Sequence, residues 1–305
     1  MSVTDRSVLS TQNLTTDQAH SIFILADEIL KQGSKIPSLS KSMICAFFEP
    51  STRTRMSFQM AGLQAGVQSI NFDAAHSSLS KGETLADTVL NLIAMKPDLF
   101  VIRYGDSTEL DRLLPTLKIP VISGGSGKSA HPTQALLDAF TILKERGGVQ
   151  GEKVFIVGDI QHSRVARSNY DLLTRLGCEI GICGPKTMLP PKDQFPKAIY
   201  FSSVKEGIAW ATVCMGLRIQ LERHSHGLVT GEKISESDYH AEFGITSSLL
   251  KSFANDGIIM HPGPINQGLE FAPEILEDRR CRVLQQVTYG VAVRAALIKK
   301  VLGVE

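Results

Sequence analysis

Short apolar runs alternate with helix-length stretches along nearly the whole chain, and this alternation constrains the fold more than any other feature. In the first half the runs are Met43–Phe48, Gln68–Phe72, Leu99–Arg103 and Pro120–Ser123. Helical patterns at Arg53–Ala65, Thr84–Met95 and Ser107–Leu117 separate them. Such a rhythm predicts βαβ units around a parallel sheet. A helix precedes the first run, where Thr15 and Gln18 have capping-box spacing and Ile22, Leu25, Ala26, Ile29 and Leu30 follow at helical intervals. A further helix is expected from Pro132 to Lys144, ending at Arg146-Gly147-Gly148, where the domain boundary is placed.

The rhythm then resumes. Strands are expected at Lys153–Val157, Glu179–Cys183, Ala198–Phe201, Thr212–Leu217 and Ile258–Met260. Helices are expected near Ser163–Leu176, Val204–Ala209 and Ile245–Phe253, and a last one from Val283 to Leu302. The polar stretch Arg223–Ser237 reads as a long loop. The fold class is therefore α/β: two doubly wound domains, residues 1–147 and 148–282, each a parallel sheet flanked by helices. A length of 305 residues fits two such domains, at roughly 100–200 residues each.

Composition narrows the function. With 32 Lys+Arg against 31 Asp+Glu the net charge is +1, which lacks the basic excess of a nucleic-acid binder. The apolar runs fall far short of the roughly 18–20 residues of a membrane span, and the N-terminal MSVTDRSVLSTQNL shows no signal pattern. A cytoplasmic protein is expected. Cys45, Cys178, Cys183, Cys214 and Cys281 form no C-x-x-C pair and read as free thiols, so no metal is expected.

In a parallel α/β sheet, ligands bind beyond the carboxyl ends of the strands. The first such segment is Phe48-Glu49-Pro50-Ser51-Thr52-Arg53-Thr54-Arg55, whose hydroxyls and guanidiniums crowd a helix start that favours an anion. A serine-rich loop, Ser77-Ser78-Leu79-Ser80-Lys81-Gly82, follows; it could clamp an anion, but alone it reads better as a solvated surface loop. Arg103 stands at a strand end. His131 and Gln134 lie three apart at a helix N-terminus, suited to a polarised carbonyl and an amide. Gly158-Asp159-Ile160-Gln161-His162-Ser163-Arg164 opens a helix without the G-x-G-x-x-G of a dinucleotide site. Arg218 and Gln220 follow another strand, and His261-Pro262-Gly263-Pro264-Ile265-Asn266 a third. Cations and neutral donors abound, acids are few, and no nucleophile has an obvious base. The pattern suits two anionic substrates exchanging a group directly.

Taken together, F-F-E-P-S-T-R-T-R, S-K-G-E-T-L, H-P-T-Q-A-L-L-D, G-D-I-x-H-S-R-V-A-R-S, L-R-I-Q-x-E-R and H-P-G-P-I-N resemble the aspartate carbamoyltransferase family, in order and spacing, from about Thr15 to Leu302. The resemblance implies transfer of the carbamoyl group from carbamoyl phosphate to L-aspartate, giving N-carbamoyl-L-aspartate and phosphate in pyrimidine biosynthesis, with no cofactor. It implies a carbamoyl-phosphate-binding domain, 1–147, on which the C-terminal helix 283–305 packs back, and an aspartate-binding domain, 148–282. Ser51, Thr52, Arg53, Thr54 and Arg103 would hold the phosphate, and His131 and Gln134 would contact the carbamoyl group. The backbone of Gly263 and Pro264 would receive its NH₂. Arg164, Arg218, Gln220 and Lys81 would bind aspartate, with Ser77 and Lys81 reaching in from the neighbouring subunit of a homotrimer. Arg53, Thr54, Lys81, Arg103 and His131 are the expected catalytic set. The resemblance also admits a regulatory chain or a dihydroorotase partner. Gln267 and Tyr289 depart from the residues frequent in the family, Arg and Asn respectively, outside these motifs.

Ornithine carbamoyltransferase shares S-T-R-T-R and H-P-T-Q, but it carries H-C-L-P where Pro262 replaces the Cys here. Arg218-Ile219-Gln220 suits a dicarboxylate rather than a cationic amino acid. A non-catalytic scaffold would usually have lost part of the anion site, and every expected cation is present.

Overall fold

The computed structural model describes residues 6–32, 39–74, 82–127, 129–219 and 234–304. They form two compact units: Met1–Phe140 with Val287–Glu305, and Thr141–Gln286.

In the first unit, α1 (Thr16–Gln32) starts at a reciprocal cap. The Thr15 N–H donates to Gln18 Oε1 at 2.8 Å, and the Gln18 N–H donates to Thr15 Oγ1 at 3.1 Å. Its buried stripe is Ala19, Ile22, Phe23, Ala26 and Ile29. Strands β1 (Ser42–Phe47), β2 (Gln68–Asp73), β3 (Leu99–Tyr104) and β4 (Val121–Ser126) form one sheet in the order β2-β1-β3-β4. Every pairing is parallel. The crossovers are α2 (Thr52–Ala65), α3 (Leu85–Ala94) and α4 (Thr108–Leu113), and α5 (Pro132–Arg146) follows β4. Between strands and crossovers lies a core of Ile44, Ala46, Val89, Phe100, Ile102, Leu110 and Val121. Expected as one helix, Ser107–Leu117 is α-helical only to Leu113, because Pro115 lacks the N–H to continue and the chain tightens into a 3₁₀ turn.

The second unit takes over inside α5, ahead of Gly147-Gly148. Its strands are β5 (Lys153–Val157), β6 (Glu179–Cys183), β7 (Ile199–Tyr200), β8 (Val213–Gly216) and β9 (Ile258–Met260), all parallel in the order β7-β6-β5-β8-β9. Helices α6 (Arg164–Arg175) and α7 (Val204–Trp210) connect them, and Phe155, Ile208, Cys214, Ile259 and Phe271 fill the core.

One helix moves. Ile245–Phe253 is not a helix: Ile245 makes a parallel bridge to Phe271, and only Leu249–Ser252 turns, as 3₁₀. The Thr246 hydroxyl accepts from the Leu249 N–H at 3.5 Å and so competes for the backbone. The helix is instead α8 (Glu236–Phe243), capped by Ser235, which accepts from the Asp238 N–H at 3.1 Å. The end of the expected Arg223–Ser237 loop is thus a helix start, and its 223–233 part lies outside the described residues. Finally, α9 (Val283–Leu302) joins the first unit from Val287 onward. Arg294 anchors it there by donating to Ser57 Oγ at 2.8 Å and stacking over Phe58. Among the described residues no helix is long and apolar enough to cross a membrane.

Candidate functional site

Each sheet contains one place where the chain leaves two adjacent strands in opposite directions, and a crevice opens beyond that point. In the first unit it lies between β1 and β3. Phe47 is in register with Arg103, and the Phe48 N–H donates to the Arg103 carbonyl at 2.8 Å. Arg103 therefore lies beside the segment that runs from β1 into α2. Its Nη1 donates to the Gly124 carbonyl at 3.1 Å, and its Nε faces Glu49 Oε2 at 3.5 Å, so the mostly buried guanidinium has a fixed direction.

Ser51 occupies the N-cap of α2, yet its side chain makes no capping bond. Thr84, Ser107, Ser163, Ser203 and Ser235, in the same position elsewhere, all do. The α2 start thus differs from an ordinary capped helix, as an anion seat requires. Thr52 and Arg53 are exposed in the first turn, and Thr54 is buried beneath them.

His131 and Gln134, 5% and 7% exposed, lie at the start of α5. This start is at the carboxyl end of β4, beside β3. Gln134 Nε2 donates to Asp138 Oδ1 at 2.9 Å, one turn on, which leaves Oε1 as the acceptor of the amide. Asp138 is buried with Arg294, whose guanidinium burial pulls down to about 10 while Asp138 pushes it the other way.

In the second unit the equivalent point lies between β5 and β8. Val157 pairs with Gly216, and the Leu217 N–H donates to the Val157 carbonyl at 2.9 Å. Gly158 follows with φ +133°, and a Cβ there would lie 3.1 Å from Leu217 Cβ, so glycine is what lets the two strand ends close up. Arg164 opens α6 from one side and Arg218 leaves β8 from the other, both half-buried. Asp159 accepts from the His162 N–H at 3.1 Å and meets His162 Nδ1 at 2.8 Å, which orients the imidazole two residues before Arg164. After β9, the Gly263 N–H donates to His261 Nδ1 at 2.8 Å in a loop with a cis Gly263–Pro264 bond.

The structure therefore brings Ser51, Thr52, Arg53, Thr54, Arg103, His131 and Gln134 to one end of the first sheet. It brings Arg164, Arg218, Gly263 and Pro264 to one end of the second. Ser77, Lys81 and Gln220 lie outside the described residues. Sequence reading passed over Glu49, Asp138 and Arg294, which restrain these groups. Asp138 was findable as the carboxylate one helical turn beyond Gln134; Arg294, far along the chain, carried no local signal. Chemically, each unit gathers cations that could hold an anion, and in the first unit His131 could donate to a carbonyl while Gln134 Oε1 could accept from an amide.

Comparison with known proteins agrees in both halves. Residues 6–144 match the family model described as aspartate/ornithine carbamoyltransferase, carbamoyl-P binding domain, and 150–301 match its Asp/Orn binding domain. The aspartate carbamoyltransferase catalytic subunit of Acetivibrio thermocellus is 41% identical, covering 98% of this chain and 96% of its own. That of Geotalea daltonii is 38% identical over 100% and 99%. Among solved structures, aspartate transcarbamoylase from Trypanosoma cruzi in complex with carbamoyl phosphate and aspartate superposes with a TM-score of 0.85 at 26% identity, covering 96% of this chain and 95% of that one.

Proposed function

The chain belongs to the aspartate/ornithine carbamoyltransferase family, and from that premise we propose that it is a transferase that moves the carbamoyl group of carbamoyl phosphate to L-aspartate. N-carbamoyl-L-aspartate and phosphate are the products, and the former feeds pyrimidine biosynthesis. The observation that carries this reading is the convergence of cations at the strand crossover point of both sheets, with His131 and Gln134 beside one of them.

Carbamoyl phosphate takes the first unit's seat. Arg53, Arg103, the Ser51, Thr52 and Thr54 hydroxyls and the α2 N–H groups bind its phosphate. His131 donates to the carbamoyl oxygen, where charge develops in the transition state, and Gln134 Oε1 accepts from the NH₂, as do the backbone carbonyls of Gly263 and Pro264. Arg164, Arg218 and Gln220 pair with the aspartate carboxylates and so aim the amine. The amine nitrogen bonds to the carbonyl carbon, the bond from that carbon to the phosphate oxygen breaks, and the departing phosphate takes the amine proton. Carbamoyl phosphate binds first, so that Arg53 and Arg103 have neutralised its phosphate before the aspartate carboxylates enter.

Ornithine is the other acceptor named by the family, and Arg218 repels its cationic side chain. Lys81 and Ser77 serve the active site of a neighbouring subunit in a homotrimer. An exposed apolar surface supports that assembly: Met56, Met60 and Leu63 along one side of α2 and Ile70 on the adjacent edge strand β2. The five free thiols suit a reducing, cytoplasmic setting.

Substitution separates the two seats. Arg53→Ala loses a charge-assisted phosphate contact of about 1.5–3 kcal/mol, so kcat/KM drops about tenfold or more. Arg218→Ala mainly raises the KM for aspartate. An Arg53→Ala enzyme of near-normal kcat/KM would remove the α2 start from the site.

A further inference from the structure

Glu270 is 2% exposed and has no part in the scheme above. Its Oε1 accepts from the Ile219 N–H at 2.8 Å and from Asn266 Nδ2 at 3.0 Å, and its Oε2 accepts from the Asn266 N–H at 2.6 Å. Asn266 Nδ2 donates in turn to the Ile219 carbonyl at 3.2 Å. Both polar groups of Ile219 are thereby held: its N–H fixes the peptide plane that joins it to Arg218, and its carbonyl fixes the plane that follows. His261 completes the cluster. Its Nδ1 receives the Gly263 N–H, so in the neutral ring the proton sits on Nε2, which faces Glu270 Oε2 at 3.9 Å.

These bonds tie two segments far apart in sequence. One is Leu217–Ile219, which carries Arg218; the other is His261–Asn266, which carries Gly263 and Pro264. The donors are neutral amides, so a carboxylate here is buried at a cost, and burial pushes its pKa above the usual carboxylate range. Charge-assisted bonds are what it returns: short, directional and hard to replace by a neutral group. Packing alone would not require an ionisable side chain at this position.

We propose that Glu270 is a positioning residue for the transfer reaction, fixing the amino-acid grip of Arg218 against the carbamoyl-NH₂ acceptors of the His261–Asn266 loop. The proposal rests on the roles given above to Arg218, Gly263 and Pro264.

The test uses steady-state kinetics of the full chain together with calorimetry of inorganic phosphate, which probes the first unit's seat. Glu270→Gln keeps the volume but turns an NH₂ toward N–H donors. It raises the KM for aspartate about tenfold or more while phosphate affinity stays within about twofold of wild type. Asn266→Ala removes the Ile219 carbonyl bond and raises the same KM by a smaller factor, and it decides the matter if Glu270→Gln does not fold. Arg218→Ala is measured alongside. A raised KM in Arg218→Ala beside an aspartate KM within about twofold of wild type in Glu270→Gln, or in Asn266→Ala as its substitute, overturns this inference alone. Parallel loss of phosphate affinity also overturns it, as general damage. An unchanged KM in Arg218→Ala overturns the underlying reading, and the inference with it.

Discussion

Arg103 faces the crevice at the end of β3 with its direction set by the Gly124 carbonyl and by Glu49. Gln134 is aimed in the same way by Asp138, which is itself buried with Arg294. Removing Asp138 would leave that guanidinium buried without a carboxylate. Asp138→Ala is therefore expected to cost roughly 3–5 kcal/mol in urea unfolding, and a loss under about 1 kcal/mol would show that the two charges are independent. The thiols give a pH-dependent test. Burial pushes Cys45, Cys178 and Cys214 up to about 12 and Cys183 up to about 11. A raised thiol pKa keeps the group protonated and unreactive until the pH approaches the raised value. At pH 8 the native protein should resist iodoacetamide at these four, with the less buried Cys281 alkylated first. Rapid native-state labelling of any of the four would contradict their burial. The residues proposed to meet ligand were legible in the sequence because most sit in a local run of hydroxyls, guanidiniums or imidazole at a strand end. Glu49, Asp138, Arg294 and Glu270 were not singled out, since all but Asp138 act through contacts that only the fold creates.

At the level of elements, strand alternation made both sheets readable, because strands in a parallel sheet are apolar on both faces. β5, β6, β9 and α9 fall where their patterns place them. Errors arose where side chains compete for the backbone. Ser235 begins a helix inside what reads as a polar loop, while the Thr246 hydroxyl competes for a backbone N–H where the apolar pattern favours a helix. Sheet order, and therefore which strand ends become neighbours, is not written in any single segment. Gly158 shows how closely those ends approach. Gly158→Ala would force a Cβ against Leu217 at φ +133°, costing about 1–3 kcal/mol. It should also raise the KM for aspartate by displacing Arg218. An unchanged urea midpoint with an unchanged KM would mean that the β5 and β8 ends have room to spare.

At the level of the whole molecule, the proposed trimer makes each active site the joint work of two chains. Lys81→Gln and Arg53→Ala chains, each expected to be about tenfold or more below wild type, can be unfolded together and refolded as an equal mixture. Random assembly about a three-fold axis makes about three-quarters of the trimers mixed, each with one native site in three. About a quarter of wild-type activity should return; none returns if Lys81 serves its own chain's site. The reaction itself is tested most directly by offering the wild-type protein carbamoyl phosphate with equal concentrations of L-aspartate and L-ornithine and identifying the products. N-carbamoyl-L-aspartate should form one for one with phosphate, without citrulline. Citrulline as the main product, or phosphate released without carbamoyl-aspartate, would contradict the assignment.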